Sequence, residues 1–164
     1  MKTHIKFRKI RDGEEIEVCN LVARSFNEFI APDFPEQGVE EFFLYSNPLS
    51  LKRRLEKNYF SMVAECDGRI LGMIEIKGEN HISMLYVDKD FHHNGIASYL
   101  VKKALEEISE NNRNPKDITV NSSRYAVPFY ESLGFIQYEY EKSVYGVIHT
   151  PMLLSVDNVI KLEQ

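Results

Sequence analysis

No apolar run in this chain of 164 residues approaches the roughly 20 residues that a membrane-spanning helix needs. The N-terminal MKTHIKFRKIRDG also lacks the apolar stretch of a secretory signal. The expectation is a cytoplasmic protein with no membrane partner. A basic excess is missing too: 20 Lys and Arg stand against 25 Asp and Glu, for a net charge of −5. A surface that grips a nucleic-acid backbone needs the opposite balance, so no nucleic-acid partner is expected. Cysteine is scarce. Cys19 and Cys66 have no metal-ligand spacing, and neither sits at a helix start that would lower a thiol pKa. Both are read as small buried hydrophobes, and no metal is expected. Glycine is sparse where two common phosphate loops require it. No Gly-Lys-Ser/Thr is present for a triphosphate loop, and Gly95 stands alone where a dinucleotide fingerprint needs three glycines. Without repeats, low-complexity tracts or linkers, residues 1–164 are expected to form one domain, and a hydrophobic content of 43% suits a sizeable core.

What the chain does have is the run ISMLYVDKDFHHNGIAS at 82–98. Apolar strand residues lead through a turn at Gly95 into a long amphipathic helix. Ile96, Leu100, Ala104 and Ile108 recur at intervals of four, with Lys102, Lys103, Glu106 and Glu107 on the other side. No acid lies between His92 and Lys102 to complement the positive end of the helix dipole. Strand, glycine turn and uncapped helix start together make an anion site from backbone amides, and phosphate is the expected guest.

The rest of the pattern organises around this run. HIKFRKI (4–10) starts a strand, and residues 14–30 form an amphipathic helix on Ile16, Leu21, Val22, Phe26 and Phe29. The breaker-rich APDFPEQG follows, then two shorter helices, VEEFFLYS and LSLKRRLEK. YFSMVAEC and RILGMIEIK flank Asp67-Gly68, a two-residue hairpin signal. After strand 81–87 and the long helix come strand 117–121, helix 125–132 and two last strands near 135–142 and 145–155. The expected fold is a mixed α/β sheet with helices on both faces, in the order βααβββαβαββ.

A second block raises the specificity of the first. DITVN ends in Asn121, and YAVPFYESLGF runs from Tyr125 to Phe135. The stretch Met84–Ala97 resembles the acetyl-CoA motif of the GCN5-related N-acetyltransferase (GNAT) superfamily, Gln/Arg-x-x-Gly-x-Gly/Ala. AVPFYESLGF resembles its helix-to-strand motif ending in Leu-Gly-Phe, and the two blocks stand in the family's order. GVIHTPMLL is similar to the last strand of uncharacterised bacterial members. The resemblance implies a GNAT-like fold with acetyl-CoA, or coenzyme A, as cosubstrate. It implies acetyl transfer to a primary amine of a small molecule or peptide by direct attack in a ternary complex. The alternative from a different class is a non-catalytic acyl-CoA sensor of the same fold. A phosphate-binding domain unrelated to acyl transfer is the weakest alternative. Monomer and homodimer both stay open.

Carried onto this chain, the resemblance places the pyrophosphate on the backbone of His92, His93, Asn94, Gly95, Ile96, Ala97 and Ser98. His92 stands where the family has Gln or Arg, so a side-chain contact there is left open. The pantetheine arm would pair with Leu85, Tyr86 and Val87 like an added strand, with a slot between neighbouring strands, an amide near Val87 at the oxyanion, and Asn121 on the arm. Tyr130 matches the tyrosine that several members use as general acid. An ordinary phenol pKa of about 10 is close to that of a leaving thiol. His81, on the cofactor-contacting strand, and Glu75, a carboxylate between Ile74 and Ile76, are the two candidate bases. For the acceptor, the first helices and last hairpin offer Phe26, Phe29, Phe34 and Tyr140, with Asp33, Glu36 and Tyr145 beside them.

Overall fold

A computed structural model describes residues 4–111, 113–155 and 157. Strand β1 (Lys6–Lys9) leads into helix α1 (Glu15–Phe29), a single 3-10 turn, and helices α2 (Glu36–Tyr45) and α3 (Pro48–Leu55). Strands β2 (Tyr59–Cys66), β3 (Arg69–Lys77) and β4 (His81–Val87) form a meander, followed by α4 (Ile96–Glu110), β5 (Asp117–Ser122) and α5 (Val127–Ser132). The chain ends in β6 (Ile136–Gln137), β7 (Lys142–Val144) and β8 (Val147–Ser155).

Seven strands run in the order β1-β2-β3-β4-β5-β8-β6, with β7 paired to the outer part of β8. Every neighbouring pair is antiparallel except β4 and β5, which lie parallel because α4 carries the chain back across the sheet. α4 buries Ile96, Leu100, Val101, Ala104, Leu105 and Ile108 on one face. On the other face α1 buries Val18, Leu21 and Val22, joined by Leu51 of α3. β3 is buried from Ile70 to Ile76, which explains its nearly unbroken apolar run: helices cover it from both sides.

The mixed sheet with helices on both faces agrees with the expected fold, while the expected order differs in number. The three α-helices before β2 are the three helical segments read from the sequence, one more than the order βααβββαβαββ counts, and three strands follow α5 where that order has two. α2 starts at Glu36, inside the segment expected to be loop, with Pro35 as its N-cap. Asn47 starts α3 as a side-chain cap, accepting from the Ser50 amide at 3.0 Å.

Candidate active site

β4 and β5 pair at only two positions, His81 with Thr119 and Ile82 with Val120. Beyond them β4 keeps its register with β3 as far as Val87, and β5 keeps its register with β8 as far as Ser122. The two strands therefore part. The parting begins at a β-bulge, where Ile76 faces Ile82 and Glu75 faces Met84, leaving Ser83 as the extra residue. Ser83 is drawn towards β3: its hydroxyl donates to the Glu75 carboxylate at 2.7 Å and to the Glu75 carbonyl at 3.2 Å. The space between the strands is a groove of about 660 Å³ that reaches from the start of α4 to α5.

At one end the groove meets backbone. Gly95 is the N-cap of α4 with φ +77°, and His93 also takes a positive φ, +63°. Asn94 supports the turn from outside the groove, donating to the carbonyls of Phe91 at 3.2 Å and His92 at 3.3 Å. The Tyr99 amide donates to the Gly95 carbonyl at 3.0 Å, which leaves the amides of Ile96, Ala97 and Ser98 ahead of the helical ladder. No side chain caps them and no acid lies in the first turn. A Cβ built on Gly95 meets no heavy atom within 4 Å, so the space beside these donors is open. A pyrophosphate fits this end, with amides and helix dipole supplying its partners.

His92 lines the groove, but its side chain is already engaged. Its Nε2 lies 2.9 Å from the carbonyl of Val87, so that nitrogen carries the proton and donates. The Ser25 hydroxyl donates to the same carbonyl at 3.2 Å. Leu85, Tyr86, Val87 and Asn121 line the walls, as do His93 and Gly95 through Ser98. Tyr130 also lines the groove, at 4% exposure, with the rings of Phe129 and Phe135 at 5.1 and 5.3 Å. Burial, with a smaller contribution from nearby Tyr86, raises its hydroxyl above the ordinary phenol range. It is a fully protonated donor at neutral pH, further from a thiol's pKa than the unperturbed value suggests.

The two candidate bases lie elsewhere. His81 sits where β4 and β5 are still paired, its Nδ1 2.7 Å from the Thr119 hydroxyl, and it does not line the groove. Burial lowers its pKa, with Lys77 and His149 adding to the effect. Glu75 is 0% exposed. Its carboxylate accepts from the Tyr45 hydroxyl at 2.6 Å, from Arg54 Nε at 3.1 and 3.2 Å, and from Ser83. It does not line the groove itself, and its carboxylate is bonded to the lining residue Ser83.

Of the expected acceptor residues, Phe29 lines the groove and the others do not. Phe26 is wholly buried, stacked on Phe42 at 3.7 Å and touching Phe34 edge-on at 5.5 Å, so both serve packing. Tyr140 is 90% exposed on the connection between β6 and β7. Residues without an assigned role take their place: Ser25, Phe91 and Tyr125, the last stacked on Phe29 at 4.7 Å. Tyr125 opens the second motif block, where its position beside Asn121 was the available signal. Cys19 is buried and its thiol is pushed up to about 11 by that burial, the opposite of nucleophile activation. Among the described residues, no group of three His, Cys, Asp or Glu side chains is arranged to hold a metal, and no helix is long and apolar enough to cross a membrane.

Residues 30–156 match the family model described as the acetyltransferase (GNAT) domain. The chain belongs to the GNAT acetyltransferase family. It is 26% identical over 132 residues to the uncharacterised N-acetyltransferase YafP of Escherichia coli K12, covering 80% of this chain and 81% of that one. Its fold is similar to a GCN5-related N-acetyltransferase from Rhodopseudomonas palustris, with TM-score 0.80, 20% identity, and coverage of 95% and 99%. PaiA N-acetyltransferase from Thermoplasma acidophilum, solved in complex with coenzyme A, gives TM-score 0.79, 16% identity, and coverage of 93% and 99%. In this GNAT chain the groove between β4 and β5, open from the α4 amides to Tyr130, is the candidate active site.

Proposed function

We propose that this GNAT domain transfers an acetyl group from acetyl-CoA to a primary amine of a small molecule or peptide, by direct attack with both substrates bound. The observation that carries the proposal is the parted β4–β5 pair, which joins an anion-binding helix start to a buried phenol through one continuous groove. Acetyl-CoA supplies an activated acyl carbon and a sulfur leaving group. The amides of Ile96, Ala97 and Ser98 hold the pyrophosphate, while the backbone of Leu85–Val87 offers strand-like partners to the arm and Asn121 offers a side-chain partner. Tyr130 Oη holds the proton that the departing sulfur takes, and its burial keeps that proton in place at neutral pH. Neither His81 nor Glu75 opens into the groove, so neither is given the part of base at the reacting nitrogen.

Thiol release from acetyl-CoA, measured over a panel of amines and peptides, tests the proposal. The expected result is turnover with at least one acceptor and calorimetric CoA binding. CoA binding without turnover across a broad panel would return the protein to the sensor alternative.

A further inference from the structure

Among the described residues, the side chains lining the groove include no Asp, Glu, Lys or Arg. Four carboxylates near lining residues are held by cations, whereas exposed Asp90, beside Phe91, and Glu131, beside Tyr130, form no ion pair among the described residues. Glu75, behind Ser83, holds Arg54 at 3.1 Å, and Asp88, after Val87, holds Arg69 at 2.7 Å. Glu28, before Phe29, holds Lys89 at 2.5 Å. Glu141 takes Arg124, the neighbour of Tyr125, through two bonds of 2.6 and 2.7 Å, and Asp33 stands close enough to act on the same guanidinium. The groove walls themselves therefore present no carboxylate to an incoming ammonium. Two imidazoles line it: His92, which commits Nε2 to the Val87 carbonyl, and exposed His93 at the phosphate end.

Proton balance then sorts the acceptors. A neutral amine forms the C–N bond, the C–S bond breaks, nitrogen loses one proton and sulfur gains one. Tyr130 can give its proton to sulfur and recover the one that nitrogen sheds, so nothing needs to leave the groove. An alkylammonium carries one proton more, which has no carboxylate in the groove walls to receive it. With a pKa of about 10.4, roughly one such amine in 2,500 is neutral at pH 7. The charged majority would have to shed water into an apolar groove without an anionic partner. Shape points the same way. Phe29 and Tyr125 come from different elements, lie 18° from parallel at 4.7 Å, and both line the groove. A flat ring matches that stack.

We infer that the acceptor is a weakly basic amine, neutral at working pH and carried on a flat aromatic body, as in an arylamine or arylhydrazine. The inference rests on the acetyl-transfer proposal above and narrows its acceptor. The test compares an aniline, a peptide α-amine and an unbranched alkylamine as acceptors at pH 7, by kcat/KM for thiol release. The aniline is expected to lead the alkylamine by about tenfold or more. Tyr125→Ala should raise KM for the aniline by a clearly larger factor than it weakens CoA in calorimetry. Calorimetry without CoA gives a readout apart from turnover: the aniline binds the wild type and is lost in Tyr125→Ala. Preference for the alkylamine overturns the inference, and its abolition in His92→Gln would then name the imidazole as the proton acceptor. Turnover restricted to the peptide also overturns it while leaving acetyl transfer standing. CoA binding with no turnover on any of the three counts against both.

Discussion

Replacing Gly95 with alanine separates two effects that the position combines. The first is backbone strain. At φ +77° a residue with a Cβ is disfavoured by about 1–2 kcal/mol, which in a chain of this size lowers Tm by about 2–8 °C. The second is obstruction. A Cβ at Gly95 finds no protein atom within 4 Å, so in the free protein it has room. It would instead occupy space beside the amides of Ile96, Ala97 and Ser98, where a phosphate oxygen must come within hydrogen-bond range. Loss of one charge-assisted bond there costs about 1.5–3 kcal/mol, or about 10- to 150-fold in the Kd for CoA. Gly68 provides a matched control, with φ +79°, nothing within 4 Å of its built Cβ, and a place in the β2–β3 turn away from the groove. Gly68→Ala and Gly95→Ala should therefore lose similar Tm, and only Gly95→Ala should lose CoA in calorimetry. Equal CoA affinity in the two folded variants would refute the assignment of the α4 start to the pyrophosphate.

Tyr130→Phe keeps the packing against Phe129 and Phe135 and removes only the hydroxyl, so turnover should fall by about 10²–10⁴-fold while acetyl-CoA affinity changes by less than about tenfold. Glu75→Gln should lower stability by about 3–5 kcal/mol in denaturant melts, because it leaves the Arg54 charge buried without its partner; a loss under about 1 kcal/mol would mean that the pair is not what holds α3 to the sheet. His81 has a lowered pKa in the folded protein, so the unfolded chain takes up the proton first as pH falls. Stability should be full above the unfolded value of about 6.5 and decline as pH drops from there to the lower folded value. His81→Gln should flatten that part of a Tm-against-pH curve, and an unchanged slope would show that His81 is not the group responsible.

Most of the secondary structure was legible because its signals are local. The four-residue spacing from Ile96 to Ile108 became the buried face of α4, and Asp67-Gly68 became the β2–β3 turn with both residues at positive φ. The early helices were less legible because a breaker can also be a starter. Pro35 reads as loop, yet it serves as the N-cap of α2, and the fixed backbone angle that suggests interruption also prepares a helix start. The bulge at Ser83 had no signature, since it depends on a hydroxyl in β4 finding a carboxylate in β3.

The two ends of the groove differ in legibility for a physical reason. The phosphate end is made of main chain, so its requirements fall on a few residue types at fixed spacing: glycine where φ is positive, no acid in the next turn, apolar residues to anchor the helix. His92 can replace the family's Gln or Arg without dismantling it, because the amides of Ile96–Ser98 remain and the imidazole turns inward to Val87. The proposed acceptor region is made of side chains brought together from α1, β4 and the turn before α5, where no spacing rule applies. Phe26 and Phe29 lie one helical turn apart on α1 and read alike. The structure separates them, because Phe26 meets Phe34, Phe42 and Phe43 while Phe29 meets Tyr125 and His92. The carboxylates read from the sequence as a base or as amine partners stand away from the groove lining: Glu75 is held by Arg54, and Asp33 and Glu36 do not line it. Glu75 and Arg54 are 21 residues apart, and Glu141 and Arg124 are 17 apart. A residue list can show that acids are present, but only the folded chain shows that none among the described residues lines the groove, and the proposed preference for a neutral amine rests on that.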